Sequence, residues 1–143
     1  MTPSPLPPRI VIRGVRDIVV SVPHLLGFVP GTSLVLVGLD PDSTVVVTLR
    51  VDLPWAGMPA AERATMLDHW AESFSVLGRE GIGEAVVAVY PAEPDADDGR
   101  WPLMLGLPHH DLVEDLRELL AVEGVQLRDA LCVVADRFRS YLC

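Results

Sequence analysis

Residues 24–53, HLLGFVPGTSLVLVGLDPDSTVVVTLRVDL, constrain the fold of this chain more than any other stretch. Ser33–Leu39 is an apolar run, a turn of Asp40, Pro41, Asp42 and Ser43 follows, and residues 44–53 then alternate. Two such runs joined by a short Pro/Asp turn predict a β-hairpin. The first run predicts a strand buried on both faces at the centre of a sheet. The second predicts a core face of Val45, Val47, Leu49, Val51 and Leu53, and a wetter face of Thr44, Val46, Thr48, Arg50 and Asp52.

Around the hairpin, helical and extended patterns alternate. Residues 9–13 (RIVIR) predict a short strand that Gly14 ends, and the spacing of Ile18, Val22, Leu25 and Leu26 predicts a helix kinked or divided after Ser21 by Pro23 and stopped by Gly27. Residues 59–79 predict a long helix with a stripe of Leu67, Trp70, Phe74 and Leu77, leaving Arg63, Glu72 and Arg79 elsewhere on its surface. Glu84–Tyr90 (EAVVAVY) reads as a buried strand reached by a helical crossover of the parallel kind. After a loop over 91–107, Pro108 opens a helix with Leu112, Leu116, Leu119 and Leu120 inward and Gly124 as its stop. The tail then predicts a strand over 127–135, a turn near Asp136 and a strand over 137–142. The fold class is therefore α/β, a single domain with a mixed β-sheet in two or three layers and the order β-α-β-β-α-β-α-β-β. Residues 1–8 (MTPSPLPP) are expected to be a disordered proline-rich N-terminus, and residues 9–143 the domain.

Length and charge narrow the function classes. A chain of 143 residues can bury a core without disulfides or a structural metal. With 20 acidic against 11 basic residues, its net charge of -9 repels phosphate backbones, so nucleic acid is not an expected partner. Every basic residue is arginine; lysine is absent, which excludes a Schiff-base lysine and the lysine of a P-loop. Cys132 and Cys143 form no C-x-x-C pair, and Cys132, in an apolar run, is expected to be a buried, inert thiol. No apolar run reaches membrane-spanning length and the N-terminus lacks the features of a signal peptide, so a cytoplasmic protein with no membrane contact is expected.

The usual chemical signatures are missing or out of context. Gly81-Ile-Gly83 precedes a strand where a dinucleotide fingerprint would follow one, and reads as a helix stop. The acidic segment PAEPDADDGR lacks the ligand spacing and closing glutamate of a calcium loop. His109-His110-Asp111 has metal-binding residue types, but adjacent histidines on a helix point about 100° apart. No G-x-S-x-G elbow occurs. No metal or cofactor is expected. The polar constellation that stands out is Thr48, Arg50 and Asp52, which strand alternation sets on one face, where an arginine and a carboxylate two apart pair with each other or clamp a ligand.

Three segments, VPHLLGFVPGTSLVLVGL (22–39), TLRVDLP (48–54) and DALCVVADRFRSYLC (129–143), resemble the conserved blocks of an actinobacterial family catalogued as domain of unknown function 4192. The resemblance spans nearly the whole chain and brings no activity with it. It implies that Thr48, Arg50, Asp52, Asp129, Arg139, Ser140 and Tyr141 occupy motif positions. Two departures stand out. A Ser-Pro helix start in the family is Gly14-Val15 here, and relatives commonly continue past the position of Cys143, which leaves open a fragment, a natural short form or a copy that has lost part of its function.

Two functions follow as expectations. One is a non-catalytic interaction or regulatory module that binds a protein partner, or itself, through the edge strand running from Arg137 to Leu142. The other is a small-molecule-binding domain or enzyme whose pocket uses Arg50 and Asp52, with Asp129, Arg139 or Tyr141 brought in from the last hairpin.

Overall fold

A computed structural model describes residues 10–28, 30–55, 57–91, 108–134 and 137–142. The proline-rich N-terminus, the acidic loop, the turn at Asp136 and Cys143 lie outside the described residues. In chain order the elements are α1 (Val15–Leu26), β1 (Ser33–Leu39), β2 (Val45–Asp52), α2 (Ala60–Arg79), β3 (Glu84–Tyr90), α3 (His110–Val122), β4 (Gln126–Val134) and β5 (Arg137–Ser140). The strands form one mixed sheet in the order β2-β1-β3-β4-β5. β1 is antiparallel to both β2 and β3, β3 is parallel to β4, and β4 is antiparallel to β5. This is the expected α/β order, with the first strand reduced to a single bridge between Val11 and Thr44.

Two hydrophobic clusters, one on each face of the sheet, make the architecture three-layered. Leu34, Leu36, Val87, Val89, Ala130 and Cys132 face the stripes of α2 (Trp70, Phe74, Leu77) and α3 (Leu112, Leu116, Leu120). Val35, Val37, Val86, Ala88, Leu131 and Val133 face Ile18 and Val22 of α1. β1 is buried at all seven positions because it lies between β2 and β3 and is covered on both faces. The β2-α2-β3 crossover steps over β1, whereas β3-α3-β4 joins adjacent parallel strands.

Two local expectations are corrected and one contact is added. α1 runs unbroken through Pro23, whose carbonyl accepts the N–H of Gly27 at 2.8 Å, with Gly27 in the left-handed conformation (φ 80°) that ends the helix. Arg63 lies off the apolar stripe of α2 as expected, and its Nη2, 2.9 Å from Oδ2 of Asp115, ties α2 to α3. In β2 the alternation shifts at its start, since Gly38 faces Val47 while Leu39 faces Val45, making Val46 an extra residue. Such a bulge reverses the faces of everything before it. Val45 therefore packs beneath the α1 side of the sheet, Thr44 is buried, and Val46 is left 54 % exposed. No helix among the described residues is long and apolar enough to cross a membrane.

Candidate functional site

The pleat of β2 puts Thr48, Arg50 and Asp52 on the α1 side of the sheet, opposite Val47, Leu49 and Val51, which pack into the other core. α1 packs over β3 and β4. The polar side of β2 is accordingly the open margin of that face. Arg50 Nη2 lies 3.2 Å from Asp52 Oδ1, with the two side chains 36 % and 84 % exposed. An ion pair this exposed contributes under about 1 kcal/mol.

The last hairpin lies at the opposite edge. Pairing sets Arg50 beside Val35, Val35 beside Ala88, Ala88 beside Leu131, and Leu131 beside Ser140, so one row of residues crosses the sheet with Arg50 and Ser140 at its ends. Four strand spacings, roughly 19 Å, separate them. A single pocket shared by Arg50 and the last hairpin is thus ruled out by strand order. Sequence alone could not reveal this, because the pairing partner of a strand is a tertiary choice.

Within the hairpin the four candidates divide between faces. Asp129 and Ser140 share the α1 side: Ser140 Oγ donates to Asp129 Oδ1 at 2.8 Å, the same oxygen accepts the N–H of Ala130 at 2.8 Å, and Ser140 Oγ accepts the N–H of Leu142 at 3.0 Å. Arg139 stands opposite Cys132 on the other face and is exposed. Tyr141 is buried on that side, where its hydroxyl donates to the Pro108 carbonyl at 2.7 Å and its ring lies 6.5 Å from that of His110. Burial, with a further contribution from the adjacent Cys132 thiol, raises the Tyr141 pKa, and burial raises that of Cys132. These shifts keep both groups neutral and inert near neutrality. His109, at the start of α3 with φ 63°, has its pKa lowered by burial and then by the Arg63 charge. Among the described residues no group of three His, Cys, Asp or Glu side chains is placed to hold a metal ion.

The polar cluster that sequence reasoning missed is built on Arg128. β4 bulges there, as Ala85 faces Leu127 while Val86 faces Asp129. Arg128 Nη1 donates to Ile12 O at 3.2 Å and to Ser43 Oγ at 2.9 Å, and Nη2 donates to Arg13 O at 3.3 Å. One guanidinium thereby joins the N-terminal segment, the hairpin turn and β4. Around it lies an open cleft of about 560 Å³ lined by residues 11–13, 42–44 and Arg128. Neither Arg50 nor Asp52 contributes to it.

With this architecture in view, the family assignment rests on a match over residues 16–143 to the family described as "Domain of unknown function (DUF4192)". The chain belongs to the DUF4192 family. No curated protein matches it. In this DUF4192 domain the matched span contains every strand of the sheet and all three helices except the first residue of α1.

Proposed function

We propose that this DUF4192 domain is a non-catalytic cytoplasmic module that binds a protein partner by adding an extended partner segment to β5. The observation that carries this reading is the orientation of the β5 backbone. Tyr141 N–H donates to Ala130 O at 2.8 Å, and antiparallel alternation from that pair turns the N–H and C=O groups of Phe138 and Ser140 away from β4. Among the described residues β5 pairs with β4 alone. An edge with its amide groups turned outward is a template for strand addition. Arg137 and Arg139, both exposed, favour an acidic segment in that position.

The test is affinity capture with the immobilised domain, comparing the wild type with Arg137→Glu/Arg139→Glu. A partner recovered by the wild type and lost by the double variant, at unchanged melting temperature, supports the reading. Equal recovery by both, or no partner recovered by either, rejects it.

A further inference from the structure

The second sheet edge, β2, carries an arginine and a carboxylate side by side on one face. β2 has eight residues against four in β5, and among the described residues its outer side is met by only a short N-terminal segment. Ile10 O accepts the N–H of Val45 at 2.8 Å, Ser43 O accepts the N–H of Ile12 at 2.9 Å, and Val11 bridges Thr44. From Val46 onward the described strand has β1 as its one neighbour. Its last turns combine two opposite charges at i and i+2 on one face with apolar side chains on the other.

We propose that two copies of this chain join through β2, antiparallel about a twofold axis at Val51, merging their sheets into one. Twofold symmetry leaves few registers to compare. An axis at Arg50 or at Asp52 sets like charges directly opposite, which is unfavourable, and an axis at Leu49 or Thr48 leaves each charge opposite an uncharged residue. An axis at Val51 sets Arg50 opposite the second copy's Asp52 and Asp52 opposite the second copy's Arg50. With the pair already formed inside each strand, 3.2 Å apart, this makes a square of alternating charges on one face. On the other face the same register sets Val51 against Val51 and Leu49 against Leu53, extending the α2/α3 core across the axis. Trp55, 58 % exposed just beyond the strand, falls level with the second copy's Val47. The overlap lies past Val45, clear of the bridge made by Ile10–Ile12. This inference is independent of partner addition at β5, because the two edges lie on opposite sides of the sheet.

Sedimentation equilibrium over a concentration series up to about millimolar, the range in which a short strand pairing is populated, tests it. The average mass of the wild type is expected to rise towards twice the 15.5 kDa of the chain. Arg50→Asp and Asp52→Arg, each placing like charges across the axis, are expected to raise the dissociation constant about tenfold or more, and the exchange Arg50→Asp/Asp52→Arg to restore it. Circular dichroism of each variant confirms the fold, which these exposed side chains do not support. A wild type that stays monomeric throughout, a dimer indifferent to the single variants, or a double exchange that fails to rescue overturns the proposal.

Discussion

Tyr90 ends β3 with its hydroxyl in the core: the residue is 8 % exposed, and among the described residues the oxygen has no hydrogen-bond partner. A buried hydroxyl without a partner costs roughly 1–3 kcal/mol of desolvation that nothing returns. Tyr90→Phe is therefore expected to stabilise the domain by about 1 kcal/mol, read as a higher midpoint in urea at unchanged slope. Burial also pushes the Tyr90 pKa up to about 12 from 10.0. Because the folded value is the higher one, the stability linked to this group is complete below pH 10 and is lost as pH rises from there through 12. Tyr141, raised in the same direction, adds to that alkaline loss. Denaturation midpoints between pH 9 and 12 are expected to fall less steeply for Tyr90→Phe than for the wild type. Gly38 shows the opposite constraint, a place where nothing more fits. A Cβ there would meet Val47 Cγ1 at 2.8 Å and Ile82 Cδ1 at 3.2 Å, and Val47 is β-branched and stiff about χ1. Gly38→Ala is expected to cost about 1–3 kcal/mol in the same urea measurement.

Elements were legible where a period of 2 or 3.6 ran unbroken, and illegible where a bulge interrupted it. The limits of β1 and β3 and the inward stripes of α2 and α3 followed from apolar spacing alone, because burial of one face or both is what that spacing encodes. The bulges at Val46 and Arg128 did not, since each depends on the length mismatch between paired strands and neither residue type marks one. Their effects are large at this scale. The first carries Val45 and Thr44 to the other face; the second aims Arg128 at two chain segments at once, the N-terminal segment and the hairpin turn. Removing that side chain in Arg128→Ala is expected to cost about 1–2 kcal/mol and to speed amide exchange at Ile12 and Val45, the two amides through which the N-terminal segment and the hairpin exchange hydrogen bonds. Unchanged exchange at those amides would show that the segment holds without the guanidinium.

For the whole molecule, strand order decides what the polar residues can do together. Alternation along β2 puts Thr48, Arg50 and Asp52 on one side, yet no local pattern says that three strands intervene between Arg50 and Ser140. Apolar content separates interior strands from edge strands without fixing which of them adjoin. β1 and β3 are the most uniformly buried strands and take the interior, whereas β2 and β5, with arginines on their exposed positions, take the edges. Charged side chains at an edge protect it from indiscriminate pairing, and both edges of this sheet carry them around an apolar centre. That division has a measurable consequence in native-state hydrogen exchange. Opening β1 or β3 requires separating both cores, so their amides are expected to exchange only through global unfolding. Those of β2 beyond Val46 and of Phe138 and Ser140 exchange through local fraying at far lower free energy. At concentrations where β2 pairs with a second copy, the outward-turned amides of Arg50 and Asp52 are expected to slow, and those of β5 to stay fast. Equal protection in β1 and β2 at high dilution would contradict this gradient from centre to edge.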